Sequence, residues 1–249
     1  MFQSIVVGMT YLLDYLYKFT EMIHLPNYGL AIILLTVLVK VVLYPLSAKQ
    51  MRSMVVMQQL APKMKEIQEK YKEKNPQKMQ QKIMELYKQH NVNPMSGCLP
   101  LIVQLPILIA LYQALLHYFD NPKHHLEFIN LEHVNAGFLW ISNLSQVYRL
   151  TDINDLASAF VVLILPVLAG VTTYLQSKMT MTTNDPTQRI MLFTMPVFIA
   201  YICMTVPAGL SLYWVVFNIM GIIQQYFVNK QIAGIKEAIA ESGRSGKGR

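Results

Sequence analysis

Charged side chains are scarce in this chain. Asp, Glu, Lys and Arg make up 14% of its 249 residues, while 53% are hydrophobic. An ordinary soluble domain carries about a quarter of its residues as charges, so this composition excludes that class. Cysteine is scarcer still. Cys98 and Cys203 are the only two, both at or within apolar segments, which excludes a disulfide framework. No phosphate-binding glycine loop, zinc-ligand spacing or nucleophile elbow occurs, so the reading is not an enzyme, with no catalytic residue, cofactor or metal. His124, His125 and His133 lie close in sequence, but their spacing fits no standard metal site. Residues 1–23 lack the basic start of a secretory signal, and Asp14 interrupts their apolar stretch.

What is present is apolar length. Residues 29–45, 99–117, 157–176, 190–206 and 208–228 are long enough, or nearly so, to cross a bilayer as helices. Lys and Arg are distributed unevenly between them. Ten fall in 47–98, two in 177–189 and five after residue 228, whereas the intervening segments hold only Lys18, Lys123 and Arg149. Acidic residues divide evenly, so the bias is a basic one. It places the N-terminus outside and the C-terminus in the cytoplasm.

The domains follow from these boundaries. Residues 1–27 form an amphipathic helix on the outer surface, with Phe2, Ile5, Val6, Met9, Leu12, Leu13, Leu16 and Ile23 at helical spacing. Residues 28–46 are the first span. Residues 47–97, rich in Lys, Gln, Met and Glu and broken at Asn75-Pro76, form a cytoplasmic helical hairpin. Its arms carry one apolar stripe each: Met64, Ile67 and Tyr71, then Met79, Ile83 and Leu86. These stripes pack on each other or, being part of a methionine-rich surface, accept other apolar segments. Residues 98–228 hold spans two to five with an outer loop at 118–156, and 229–249 is a basic tail.

One charge stands inside the spans: Lys40. A charge at bilayer depth costs about 2.5–3.5 kcal/mol on insertion scales, so it faces a wet cavity or a partner, or else its stem snorkels to the interface. At about 100° per residue, Thr36, Lys40, Tyr44 and Ser47 share one face of a straight helix. The same register groups Thr194, Tyr201 and Thr205 in span four, and Ser211, Trp214, Asn218 and Gln225 in span five. Thr172 and Gln176 stand one turn apart in span three. Span two contributes Gln104, with Gln113 on its opposite side. Interhelical hydrogen bonding explains any one of these residues. A polar stripe beside a lone cation points to a hydrophilic groove.

The ordered pieces YGLAIILLTVLVKVVLYPLSAKQ (28–50), QQLAPKMKEIQEKY (58–71), HNVNPMSGCLPLIVQLPILIALYQAL (90–115), GFLWISNLS (137–145), ILPVLAGVTTYLQSKM (164–179) and TMPVFIAYICMTVPAGLSLYWVVFNIMGIIQQ (194–225) resemble the YidC/Oxa/Alb membrane protein insertases. The short form, without a large extracytoplasmic domain, is similar to the Gram-positive members. The resemblance implies an all-α integral membrane protein with five transmembrane helices around a groove that is open to cytoplasm and lipid. It puts Lys40 at the groove's positive position, where the family usually has Arg. Thr36 and Trp214 match substrate-contact positions, and Gln104 matches a groove glutamine. Tyr44, Thr172, Gln176, Tyr201, Ser211 and Asn218 complete the candidate set. The implied partners are nascent membrane proteins with short acidic or polar outer segments and the lipid bilayer, with the ribosome and the Sec translocon as further candidates; a monomer suffices. Insertion and chaperoning would then proceed without nucleotide hydrolysis.

Two other readings compete. Lys40 could line the anion path of a small transporter, although a single charge, no internal repeat and a large cytoplasmic hairpin count against it. A structural scaffold leaves the polar stripe without a purpose.

Overall fold

The computed structural model describes residues 2–71, 75–90, 99–117, 134–180 and 186–245. The three loop histidines, Lys123, Cys98 and the hairpin exit at 91–94 lie outside the described residues. So do the tail side chains from 232 onward.

Within them the fold is all-α apart from one isolated bridge, Phe138 to Ile141. The helices are α1 (Phe2–Met22), α2 (Tyr28–Val42), α3 (Tyr44–Tyr71), α4 (Pro76–Gln89), α5 (Leu99–His117), α6 (Leu156–Thr180), α7 (Pro186–Cys203) and α8 (Ala208–Ser245). Their starts are written locally. Asn27 caps α2 by accepting from the Leu30 N–H at 3.1 Å, and Asn75 caps α4 in the same way ahead of Pro76. Asp155 and Ser158 cap α6 reciprocally. The Ser158 backbone N–H and then its hydroxyl donate to the Asp155 carboxylate, holding that carboxyl below its usual range.

By length and composition, α6 and the 208–231 part of α8 are apolar enough to cross a membrane. A third span arises if the bent pair α2–α3 counts as one. The apolar parts of α5 and α7, Val103–Leu116 and Arg189–Cys203, are shorter. α8 does not stop at residue 228 but continues as helix to Ser245.

The straight-helix register for Tyr44 and Ser47 does not survive. The chain turns by 66° between α2 and α3. Pro45 brings no N–H to continue the ladder, and its ring crowds the preceding turn. Tyr44 and Ser47 therefore belong to α3, and the stripe through Lys40 ends with α2.

The core gathers Leu13 and Tyr17 of α1, Ile32 and Leu35 of α2, Leu111 and Leu115 of α5 and Tyr213 of α8. It lies at one end of the bundle, closed by residues 134–146. Those residues are tied to α1 and α2 by Tyr28 N–H to Asn135 O at 2.9 Å, Asn27 Nδ2 to Gly137 O at 2.9 Å and Asn135 N–H to the Tyr17 hydroxyl at 3.0 Å. The otherwise orphan N–H groups at the start of α8 donate to Gln146 O and Leu144 O.

α1 is not simply apolar toward its neighbours. Thr10, Leu13, Asp14, Tyr17 and Thr20 are its buried positions, and it packs on α2 and α5. Ile5 and Ile23 of the expected apolar stripe are exposed instead, with Tyr15, Phe19 and Met22 beside them. α3 and α4 pack on each other through Leu60, Met64, Ile67, Ile83, Leu86 and Tyr87, with the Tyr87 hydroxyl donating to Met64 Sδ at 3.2 Å. Of the six methionines between 51 and 84, only Met84 is exposed. Met64 and Ile67 of one stripe thus pack with Ile83 and Leu86 of the other, while Tyr71 and Met79 lie outside that cluster.

Candidate functional site: a buried cation and polar cluster among α2, α6 and α8

The packed face of α2 runs Tyr28, Ala31, Ile32, Leu35, Thr36, Lys40, the spacing of one helical stripe. Its last member is the lysine. Lys40 is 7% exposed, and its ammonium turns inward onto α8, 3.3 Å from the centre of the Phe217 ring. The ion pairs formed among the described residues are Lys18–Glu21, Lys65–Glu69 and Lys82–Glu85, all within single helices. Lys40 therefore has no acidic partner among them. A ring face attracts a desolvated cation by about 2 kcal/mol, and it leaves hydrogen-bonding capacity unused.

A polar relay crosses from α8 to α6 beside it. Trp214 Nε1–H donates to Thr173 Oγ1 at 3.2 Å. The Asn218 amide has two orientations. With Nδ2 toward Thr172 and Thr173, its oxygen would oppose Gln176 Oε1, acceptor against acceptor. We assign the other, in which the oxygen accepts from Thr173 Oγ1 at 2.8 Å and Nδ2 donates to Gln176 Oε1 at 2.7 Å. Each donor then meets an acceptor, and Gln176 Nε2 is turned toward Gly221 and Lys40. A Cβ on Gly221 would stand 2.5 Å from Gln176 Nε2 and 3.3 Å from Lys40 Nζ.

The other candidates fall elsewhere. Gln104 of α5 donates to the Tyr213 hydroxyl at 2.7 Å, and Tyr213 stacks on Phe217, so Gln104 reaches Lys40 only through two rings. Thr36 is fully buried and gives its proton to Ile32 O at 2.7 Å. Thr172 does the same to Leu168 O. Ser211 donates to Cys203 O at 3.1 Å, satisfying the end of α7. Tyr44 is 49% exposed beyond the bend. Tyr201 is 65% exposed. The packed face of α7 is Leu192, Pro196, Ile199 and Cys203, and Tyr201 stands about 180° from it at 100° per residue. Thr194 and Thr205 share that outer face.

Sequence reasoning passed over Phe217, Gly221 and Thr173. Phe217 and Gly221 were within reach of the helical register, since Trp214, Phe217, Asn218, Gly221 and Gln225 form one face of α8; Thr173 lies on α6 next to Thr172. A search for polar side chains does not register an aromatic ring or a missing side chain. Among the described residues no cluster of His, Cys, Asp and Glu could hold a metal.

Residues 18–236 match the family model described as 60Kd inner membrane protein. Curated proteins named Membrane protein insertase YidC align over most of the chain. That of Wolinella succinogenes is 42% identical over 230 residues, 92% of this chain. That of Helicobacter pylori is 41% identical over 236 residues, 94% of this chain. That of Geobacter sulfurreducens is 41% identical over 207 residues, 83% of this chain. This chain spans 34% to 38% of the length of these relatives. Among solved structures, one described as an active YidC insertase crystal structure with the first transmembrane domain resolved superposes with a TM-score of 0.65 at 26% identity. It covers 91% of this chain, and the match covers 47% of that chain.

Proposed function

The chain belongs to the 60Kd inner membrane protein family, and on that footing we propose that it is a membrane protein insertase and folding chaperone of a bacterial cell membrane. Its apolar segments in α2, α5, α6, α7 and α8 cross the bilayer. The N-terminus lies outside and the C-terminus lies in the cytoplasm, where Lys and Arg concentrate. The polar cluster among α2, α6 and α8 marks the half-path. A nascent chain's short polar or acidic outer segment enters it from the cytoplasm and meets Lys40. Water and amide groups there lower the cost of carrying polar atoms to bilayer depth.

The substrate's apolar span then leaves sideways into lipid along the exposed apolar faces of α6 and α8. Burial of about 20 apolar residues drives the step, so no nucleotide is consumed. The α3–α4 hairpin meets the nascent chain on the cytoplasmic side and must open its own apolar stripe to do so. Work beside the Sec translocon and contact of the basic tail with the ribosome fit the same reading.

The observation that carries the reading is Lys40 itself: a buried cation with amide groups beside it and no carboxylate among the described residues. The experiment is insertion of a nascent single-span protein into liposomes that hold only this protein and no nucleotide. Protease-protected, correctly oriented product well above protein-free liposomes is expected. Equal yields with and without the protein would contradict the proposal.

A further inference from the structure

α6 and α7 pack antiparallel, and the contacts between them fix the register. The Tyr174 and Phe193 rings lie 5.9 Å apart. A Cβ on Gly170 would stand 3.3 Å from Pro196 O and 3.4 Å from the Ala200 Cβ. Gly170, Pro196 and Ala200 therefore make a low floor between taller walls, Val167, Val171 and Tyr174 on α6 and Phe193 and Val197 on α7. The result is an open apolar groove of about 340 Å³, within the range of about 300–1,000 Å³ usual for ligand sites. Val167, Val171, Phe193 and Val197 are exposed along it. One turn beyond Tyr174 on α6 stands Lys178, and one turn before Phe193 on α7 stands Arg189. The antiparallel register thus brings a cation from each helix to the same end of the groove. Lys178 Nζ lies 6.0 Å from the centre of the Tyr174 ring. Both cations are exposed, and neither forms an ion pair among the described residues. Asp185, the one acid in the joining turn, lies outside them.

Resting on the membrane-crossing reading and its orientation, we infer that this groove seats one anionic phospholipid of the inner leaflet, with an acyl chain between α6 and α7 and the phosphate at Lys178 and Arg189. The dimensions agree. From Val167 to Lys178 the helix rises about 16 Å at 1.5 Å per residue. That is close to half of the roughly 30 Å hydrocarbon core. The chain then meets apolar walls at acyl depth, and the headgroup meets the cations at the cytoplasmic interface. Other occupants fit less of the site. An apolar polypeptide span would match the walls and leave both cations unanswered. A second copy on the same face would gather four like charges at one depth. α7 packs chiefly on α6 and little on α8, so the seated lipid fills the joint that holds α7 to the bundle.

The test places the full chain in phosphatidylcholine nanodiscs with a trace of a photoreactive lipid, and maps the adducts. Two probes share the same photoreactive acyl chain, one with a phosphatidylglycerol headgroup and one with phosphatidylcholine. The readout is the ratio of their adduct yields on the groove residues. Adducts at Val171, Phe193 and Val197 are expected, more from phosphatidylglycerol than from phosphatidylcholine, and competed by unlabelled phosphatidylglycerol. Lys178→Gln combined with Arg189→Gln is expected to lower the ratio at least about fivefold, roughly 1 kcal/mol of lost selectivity. Both residues are exposed, so the variant should fold. Lys178→Arg combined with Arg189→Lys is expected to keep the ratio. An unchanged ratio in the glutamine variant, or equal yields from both probes, would overturn the lipid site and leave the membrane-crossing reading intact. Adducts along the rest of α6 but missing from the groove would assign it to another occupant and overturn the site as well. Absence of adducts from α6 and α7 altogether would overturn both.

Discussion

Replacing Lys40 by alanine is expected to cut insertion of single-span substrates with acidic outer tails by about tenfold or more, without loss of folded protein. Two unit charges about 4 Å apart attract by about 4 kcal/mol at an effective dielectric of 20. Desolvation of both partners offsets much of this, and a net 1.4 kcal/mol already corresponds to about tenfold. The fold should tolerate the change. Lys40 makes no ion pair among the described residues, so its removal leaves no stranded acid there. What goes is a cation–π contact and a buried charge, two contributions of opposite sign.

Lys40→Arg is expected to retain insertion, since guanidinium keeps the charge and stacks well on an aromatic face. Lys40→Glu is expected to be worse than alanine for acidic tails and to recover part of the yield for basic ones. Quantitative insertion assays at matched levels of folded protein check all three. Wild-type yields from Lys40→Ala would remove the electrostatic role.

Gly29→Ala is expected to destabilise the protein by about 1–3 kcal/mol, and Gly29→Val by more. A Cβ on Gly29 would land in the ring of Phe138. That ring cannot easily yield. Phe138 and Ile141 exchange backbone hydrogen bonds at 2.8 and 2.9 Å. The neighbouring Asn135 and Gly137 are bonded to α1 and α2. Displacing Phe138 therefore loosens the closure over the core end of the bundle. Gly8 provides the control, since its Cβ would meet nothing within 4 Å. Gly8→Ala is expected to be neutral or slightly stabilising. The buried Cys203 supplies the readout in a Cys98→Ser background. Its thiol should be labelled at lower temperature in Gly29→Ala and at an unchanged temperature in Gly8→Ala. Equal labelling curves for both would mean that Phe138 moves aside at no cost.

These expectations divide between what the chain spells out and what only packing reveals. Lys40 was legible because a lone charge in an apolar run is conspicuous. Thr172, Gln176, Trp214 and Asn218 were legible because helical register holds along uninterrupted helices, and α6 and α8 are uninterrupted where these residues lie. Register failed at Tyr44, where the chain bends after Val42. It failed differently at Tyr201. The face was grouped correctly, but a single helix does not say which of its faces its neighbours take. α7 gives its Leu192–Cys203 stripe to the bundle and leaves Tyr201 outside.

Ser211 and Thr36 show a third limit. Both are polar and buried, yet their hydroxyls are committed to backbone carbonyls, a fate that composition does not distinguish from lining a groove. Asp14 reverses the usual expectation. It interrupts an apolar stretch in sequence and sits fully buried in the fold. The family resemblance carried farther than residue patterns did, because order and spacing over nearly the whole chain are more specific than any single motif.

The most direct test of the account places a photocrosslinker beside the acidic residue of a stalled substrate's outer tail and maps the adducts on this protein. Adducts concentrated at Lys40, Gln176, Phe217 and Gly221, and lost when the acidic residue is changed to its amide, are the expected result. Adducts confined to the outer face around Thr194 and Tyr201, or unchanged by removal of the acid, would contradict it.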